Sequence, residues 1–215
     1  MSGGGYTGGL RSVNEDKVMA TLEFWFDFAS TYSYPAAVQI EERAAERGVD
    51  VAWRAFLLGP IFAEQGWADS PFNLYPAKGR YMWRDMQRLC RARSIPFQKP
   101  GSFPRSGLLA ARLACSFEGE AWLPDFVRAV YRANFAEDLD ISEPAVIQRC
   151  LGCGDAEFES MLAKAQAADN KMRLRDQTSR AMQLGIFGAP TFVVGEELFW
   201  GNERLEQALA RAADQ

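Results

Sequence analysis

The chain has 215 residues, 48% of them hydrophobic, with mixed charges that sum to −4 and with no histidine. This length suits one elaborated domain, the charge gives no indication of a nucleic-acid partner, and no apolar run approaches the roughly 20 residues of a membrane span. The lack of histidine excludes Ser-His-Asp and Cys-His catalytic sites and most catalytic zinc sites, so we expect no metal.

The N-terminal segment, residues 1–18, is rich in glycine and is expected to form a flexible tail. It has no basic stretch followed by an apolar core, so we see no secretory signal. We therefore expect the four cysteines to be thiols in the reducing cytoplasm. The first regular element follows in "TLEFWFDF", where apolar residues alternate from Leu22 to Phe28, which is typical of a strand.

A helix and a second strand are predicted next. From Tyr34 the apolar spacing becomes helical, with Pro35 tolerated in the first turn and Gly48 as the stop. The segment "VDVAWRAFLL" then predicts a strand closed by Gly59 and Pro60. A strand, a helix and a strand of this spacing form a βαβ unit.

The middle of the chain is helical. Between Lys78 and about Ala168 nearly every segment has helical spacing. A last long helix is expected from about 156 to 184, with a break near Asp169 and Asn170, ending at Gly185.

After Gly185 the pattern returns to strands. "PTFVV" and "ELFW" predict two short strands, and "NERLEQALARAA" predicts a closing helix for which Asn202 is a candidate N-cap. The order βαβ, helices, ββα predicts an α/β thioredoxin-like fold with a large all-helical insertion. We expect a thioredoxin-like domain formed by residues 19–60 and 185–215, and an insertion domain, residues 61–184, whose last helix returns to the core.

The segment "FDFASTYSYP" places Ser30 just before the first helix. The unpaired N–H groups and the macrodipole of a helix N-terminus favour negative charge there, and in thiol redox proteins they lower the pKa of a cysteine. A serine hydroxyl at this point can instead donate a hydrogen bond to a thiolate that another molecule supplies. The alternative is that Ser30 and Thr31 only cap the helix.

A second candidate feature is the pair Ala189 and Pro190, directly before a strand. Proline in a sheet is confined to strand starts, edges and bulges, and an X-Pro bond can be cis at modest cost. In thioredoxin-like folds a cis-proline here faces the active-site turn, and a peptide-like ligand pairs with the exposed backbone of the preceding residue. The alternative is an ordinary loop proline.

Four segments together resemble the 2-hydroxychromene-2-carboxylate isomerases, which belong with the kappa-class glutathione transferases in the DsbA-type branch of thioredoxin-like proteins. These segments, between Phe26 and Leu205, are "FDFASTYSY", "SPFNLYPAKGRYMWRD", "GIFGAPTFVV" and "LFWGNERL". Two residues depart from the family pattern: Thr31, where proline is usual, and Glu203, where many relatives have aspartate.

The resemblance implies a glutathione-dependent enzyme of aromatic-hydrocarbon breakdown, and a homodimer. Its small aromatic substrate, 2-hydroxychromene-2-carboxylate, would interconvert with trans-o-hydroxybenzylidenepyruvate. The glutathione thiolate would add to a conjugated carbon, allow rotation about the former double bond, and leave.

The resemblance also implies roles for individual residues. Ser30 would be the catalytic residue, since it would hydrogen-bond the glutathione sulfur and stabilise the thiolate. Ala189, beside Pro190, would pair its backbone with the cysteinyl unit. At the γ-glutamyl end, Glu203 could pair with the ammonium group and Asn202 with the carboxylate.

Lys78 matches a family lysine on the glycine-carboxylate side of glutathione. Asp69 aligns approximately with a family asparagine there, and Asn73 is an alternative. Lys78 could equally belong to a solvated helix face with Arg80 and Arg84. Four aromatic residues could either line a slot for the substrate or fill the core: Trp67, Tyr75, Trp83 and Trp200.

Three other functions stay open. A kappa-like glutathione transferase or peroxidase would use the same residues with a different electrophile. A thiol-disulfide oxidoreductase would use the C-x-x-C pair Cys150 and Cys153, although this pair follows a helical segment and not a strand of a βαβ unit. A non-catalytic domain would bind glutathione without turnover.

Overall fold

The computed structural model describes residues 20–215 of the chain, so the prediction for residues 1–18 lies outside the described part. Within it, a four-stranded mixed sheet has the order β2-β1-β3-β4. β2 is parallel to β1, whereas β3 is antiparallel to both β1 and β4. This topology confirms the predicted α/β arrangement βαβ…ββα. The strands are β1 (Ala20–Phe26), β2 (Val49–Ala55), β3 (Thr191–Val194) and β4 (Glu197–Trp200).

Helices surround the sheet and form the long insertion between β2 and β3. None of the helices in residues 20–215 is both long and apolar enough to cross a bilayer. The helices of this described range are α1 (Ser33–Ala45), α2 (Leu58–Glu64), α3 (Pro71–Leu74), α4 (Pro76–Ala92), α5 (Leu108–Ser116), α6 (Leu123–Phe135), α7 (Pro144–Leu151), α8 (Asp155–Gln166), α9 (Ala168–Gln183) and α10 (Leu205–Ala213), with a short 3₁₀ turn at Asn202–Arg204.

The alternation in β1 supplies both sides of the core. Leu22, Phe24 and their alternate neighbours belong to the main core, and Phe24 stacks on Phe192 of β3 with ring centroids 5.5 Å apart. Trp25 points to the opposite face, where it packs in a smaller apolar cluster that includes Ile61 of α2 and Ala181 of α9. β1 is therefore covered on both faces and holds the following turn firmly in place.

The helical insertion packs directly against the helix that follows β1. Tyr131 and Phe135 of α6 stack on Tyr34 of α1, with centroid distances of 6.1 and 5.9 Å. Residues of the insertion and of the sheet share one hydrophobic core. The division into a domain of residues 19–60 and 185–215 and an insertion of residues 61–184 stays a prediction.

One predicted boundary was wrong, and one predicted helix break lies two residues earlier than expected. The second strand ends at Ala55, because Gly59 and Pro60 lie in the first turn of α2, where proline is tolerated. The predicted long helix is two helices, α8 and α9, and the break is at Ala167, whose ψ of 150° is not helical. The predicted stop at Gly185 is confirmed by its left-handed φ of 79°.

Candidate active site

The turn between β1 and α1 places Ser30 beyond the carboxyl end of β1, a central strand of the sheet. The Ser30 hydroxyl donates a hydrogen bond to the carbonyl oxygen of Ala189 at 2.9 Å and accepts one from the backbone N–H of Ser33 at 3.3 Å. The peptide bond between Ala189 and Pro190 is cis. The two features that the sequence singled out separately are therefore in direct contact, and the cap interpretation of Ser30 describes only one of its two hydrogen bonds.

Asp27 ties this turn to the beginning of α2. Its buried carboxylate accepts hydrogen bonds from the backbone N–H groups of Ala29, at 2.8 Å, and Leu58, at 2.7 Å. Burial raises the pKa of the Asp27 carboxyl above its usual range, although the two N–H groups oppose the shift. The Tyr131 hydroxyl donates to the carbonyl of Asp27 at 2.8 Å. This role was not predicted, because its only signal in the sequence was a carboxylate directly after the strand β1.

Helix α4 closes the other side of the turn. The Thr31 hydroxyl, which stands where proline is usual, is buried and donates to the sulfur of Met82 at 3.2 Å. The Tyr32 hydroxyl donates to the Asp85 carboxylate at 3.0 Å. Burial and the neighbouring Asp85 raise the pKa of Tyr32, so this phenol stays protonated at neutral pH. These contacts fix the position from which α1 begins.

Close packing shapes the sheet edge on the proline side. A Cβ atom on residue 188 would lie 2.5 Å from the Trp200 indole nitrogen, so any residue other than glycine would have to displace the Trp200 ring. Trp200 and Phe187 pack with ring centroids 4.8 Å apart and planes tilted by 60°, yet they are 52% and 49% exposed. The Gly201 N–H donates to the carbonyl of Pro190 at 2.9 Å, which joins the end of β4 to the cis-proline.

Asn202 follows this junction, and its buried side chain has no hydrogen-bond partner in the described part of the chain. It is 3% exposed, and neither its amide nitrogen nor its amide oxygen has a hydrogen-bond partner within residues 20–215. The expectation that Asn202 caps the closing helix was wrong, since α10 begins at Leu205 without a side-chain cap. The neighbouring Glu203 is exposed.

Lys78, Asp69 and Asn73 lie together on exposed parts of α3 and α4 and of the loop before them. The Lys78 ammonium is 4.7 Å from the ring centroid of Tyr75. Asn73 donates to Asp69 at 3.0 Å and to the carbonyl of Phe103 at 3.3 Å. No hydrogen bond within the described range joins any of the three to Ser30, so the roles that the resemblance gives them stay predictions.

None of the four aromatic side chains that were candidates for a slot is a fully buried core residue. Tyr75 and Trp200 are 47% and 52% exposed, and Trp67 and Trp83 are partly buried. Trp83 packs edge-on against Phe103 at 4.9 Å. All four rings therefore keep some surface on which a ligand could pack.

The cysteines of the C-x-x-C sequence lie elsewhere. Cys150 is in the last turn of α7 and Cys153 follows Gly152, which takes the left-handed conformation that ends the helix. Both thiols are free, as are those of the buried Cys90 and Cys115. Burial raises the pKa of Cys150 to about 11. The pair thus lacks both the strand-to-helix position and the lowered pKa of a redox-active cysteine.

The fold, and a hydroxyl turn that faces a cis-proline, define the class of protein. Residues 21–212 match the model of the DSBA-like thioredoxin domain, and the chain belongs to this family.

Similarity to enzymes of known name confirms the resemblance seen in the sequence. The 2-hydroxychromene-2-carboxylate isomerase of Pseudomonas putida is 28% identical over 199 residues, which cover 90% of this chain and 96% of that protein. Human glutathione S-transferase kappa 1 is 25% identical, with 86% and 88% covered. A solved structure of 2-hydroxychromene-2-carboxylate isomerase has a TM-score of 0.74 and 27% identity, and the match covers 89% of this chain and 95% of that one.

Proposed function

We propose that this protein is a glutathione-dependent isomerase that interconverts 2-hydroxychromene-2-carboxylate and trans-o-hydroxybenzylidenepyruvate. The observation that carries the proposal is the contact between Ser30 and Ala189 at the start of α1. A hydroxyl donor, a helix N-terminus and the backbone of the cis Ala189-Pro190 bond meet at one point. That combination can hold a peptide-like ligand whose anionic atom lies beside the hydroxyl.

The residues present fit glutathione. In the free protein the Ser30 hydroxyl donates to the Ala189 carbonyl, which is the group that would accept from the cysteinyl N–H. Pairing of a ligand backbone with Ala189 would therefore release the hydroxyl to donate to the sulfur. The buried amide of Asn202 has no hydrogen-bond partner among residues 20–215, and a buried unsatisfied polar group of this kind costs about 1–3 kcal/mol. A ligand whose polar end forms a hydrogen bond with the Asn202 amide, in the 3₁₀ turn, would recover that free energy.

Glutathione supplies the nucleophilic thiolate that this pocket lacks. The chain contributes the environment: Ser30 donates a hydrogen bond, and the N-terminus of α1 adds a favourable potential. Lowering the pKa of a thiol by one unit requires about 1.4 kcal/mol, which is within the range of one hydrogen bond to a charged group. Ser30 thus stabilises a negative charge and does not itself attack the substrate.

Polar and charged side chains would hold the two ends of glutathione. Glu203 would pair with the ammonium group and Asn202 with the γ-glutamyl carboxylate. On the glycine side we propose Lys78, whose side chain extends over Tyr75. The carboxylate of Asp69 would repel the glycine carboxylate, and the Asn73 amide already donates twice. Lys78 is therefore the strongest of the three candidates.

A kappa-like glutathione transferase or peroxidase is the second candidate, supported by the similarity to the human kappa transferase. One assay separates the functions. The full chain is incubated with 2-hydroxychromene-2-carboxylate, with and without glutathione, and both substrate and free thiol are followed. Isomerisation that requires glutathione and returns all of it supports the proposal. Accumulation of a conjugate, or oxidation of glutathione by a hydroperoxide, would identify the alternative. Binding without turnover would reject both activities.

The proposal includes a cytoplasmic location and a homodimer. Four free cysteines, two of them buried, are consistent with a reducing compartment. The exposed aromatic pair Phe187 and Trp200, beside the edge strand β4, offers apolar surface for a second copy. Light scattering of the purified chain measures the assembly: a mass of two chains is expected, and a monomer at micromolar concentration would remove this part of the proposal.

A further inference from the structure

A groove between α2, α5 and α9 contains none of the residues assigned to glutathione. Its volume is about 340 Å³, which lies in the range of small-molecule sites. Residues spaced by three or four positions line it: Leu108 and Arg112 from α5, and Leu174 and Thr178 from α9, among others. We call this feature the basic groove.

The floor of the basic groove is apolar. Leu174 is 2% exposed, and Leu57, Leu108 and Met182 are partly buried around it. The Thr178 hydroxyl is already used, because it donates to the Leu174 carbonyl and accepts from the Leu57 N–H. The floor therefore offers a ligand apolar contact and few hydrogen bonds.

The rim of the basic groove is positively charged without compensation. Arg112 of α5 and Lys171 and Arg175 of α9 line it, and no aspartate or glutamate of the described residues does. None of these three cations forms a salt bridge within residues 20–215. Lys171 and Arg175 are four positions apart on one helix, where like charges destabilise each other.

We infer that the basic groove binds a small apolar carboxylate, such as an aromatic or branched aliphatic acid. An apolar body would cover Leu108 and Leu174, and the carboxylate would accept hydrogen bonds from Arg112 or Arg175, whose planar guanidinium groups suit this geometry. Bound carboxylate would also relieve the repulsion among the three cations. This inference does not depend on the proposed function, because different residues carry it.

The test is a calorimetric titration of the full chain with 2-naphthoate, and with the neutral 2-naphthamide as a matched probe. We expect 2-naphthoate to bind and the amide to bind at least about tenfold more weakly. Arg112→Gln or Arg175→Gln should lower the affinity for 2-naphthoate by about tenfold, as loss of a hydrogen bond to a charged group predicts. Arg173→Gln, on the same helix but outside the groove, is the control and should leave the affinity unchanged.

A second titration, in saturating S-methylglutathione, distinguishes the groove from the Ser30 site. An unchanged 2-naphthoate affinity is expected. Three results would each overturn the inference: displacement of 2-naphthoate by S-methylglutathione, an affinity in both Arg112→Gln and Arg175→Gln equal to that of the original chain, or no binding of 2-naphthoate. Circular dichroism checks that the variants are folded. Failure of the glutathione assay would leave these titrations unaffected.

Discussion

The turn before α1 and the C-x-x-C at the end of α7 are the two regions where thiol chemistry was considered, and they lie at opposite ends of their helices. Ser30 precedes a helix N-terminus, where the dipole favours negative charge, whereas Cys150 lies in the last turn of a helix, where the dipole opposes it. Burial then raises the pKa of Cys150 to about 11. The presence of a cysteine therefore says less about the site of thiol chemistry than the electrostatic environment in which a thiolate would lie.

The largest effect should come from Ser30→Ala. This change removes the donor to Ala189 and, in the proposed complex, the donor to the thiolate. We expect glutathione-dependent turnover to fall by about 100-fold or more, as when one donor to a developing anion is deleted. The free energy of unfolding should fall by only about 1–2 kcal/mol, the range for lost neutral hydrogen bonds. Steady-state kinetics and urea unfolding measure the two quantities.

A matched control for that change is Ser33→Ala, in the first turn of α1. The Ser33 hydroxyl is buried and has no hydrogen-bond partner in the described part of the chain. Its removal should therefore leave turnover within about threefold of the original value, in keeping with the small effects of such deletions. Equal losses in both variants would mean that packing of the turn, and not the Ser30 donor, controls activity.

A smaller effect is expected from Asn202→Ala. Because the amide makes no hydrogen bond within the part of the chain that the structure describes, its removal should leave the unfolding free energy unchanged or raise it, whereas loss of a helix cap would cost about 0.5–2 kcal/mol. In the complex the lost contact should weaken glutathione binding by about tenfold. Calorimetry and urea unfolding check both expectations. A destabilised variant with unchanged affinity would support a structural role only.

The smallest effect is expected from Cys150→Ser and Cys153→Ser. Isomerase turnover should stay within about twofold of the original, since surface and helix-end changes usually have small effects. The raised pKa also predicts slow alkylation: at pH 8 about one Cys150 thiol in a thousand would be ionised, and reactivity should rise only as the pH approaches 11. Loss of activity in either variant, or fast alkylation at pH 7, would revive the oxidoreductase alternative.

Local patterns predicted the elements well because their signals are contained in short segments. The alternation around Phe24 and the helix stops at Gly48 and Gly185 are confirmed, and the contact of Ser30 with Ala189 followed from the order of elements.

Apart from the contact of Ser30 with Ala189, contacts between distant segments could not be predicted from the sequence. Asp27 bonds the N–H of Leu58, 31 positions away, and Thr31 bonds the sulfur of Met82, 51 positions away. No local periodicity records such pairs. The early end of β2 has the same origin, since the Asp27 carboxylate, in the turn after β1, holds the start of α2. Asn202 was predicted as a helix cap because asparagine is common at the N-terminus of helices. Its burial without a hydrogen-bond partner among the described residues depends on the junction of β4 with Pro190.

The central claim is that the turn before α1 keeps the thiol of bound glutathione ionised. Titration of thiolate absorbance in the glutathione complex measures this directly, with Ser30→Ala as the comparison. The account predicts a thiol pKa at least about one unit below that of free glutathione in the original chain, equivalent to about 1.4 kcal/mol, and a value near that of free glutathione in the variant. An unshifted pKa in the original chain, or the same shift in both proteins, would contradict it.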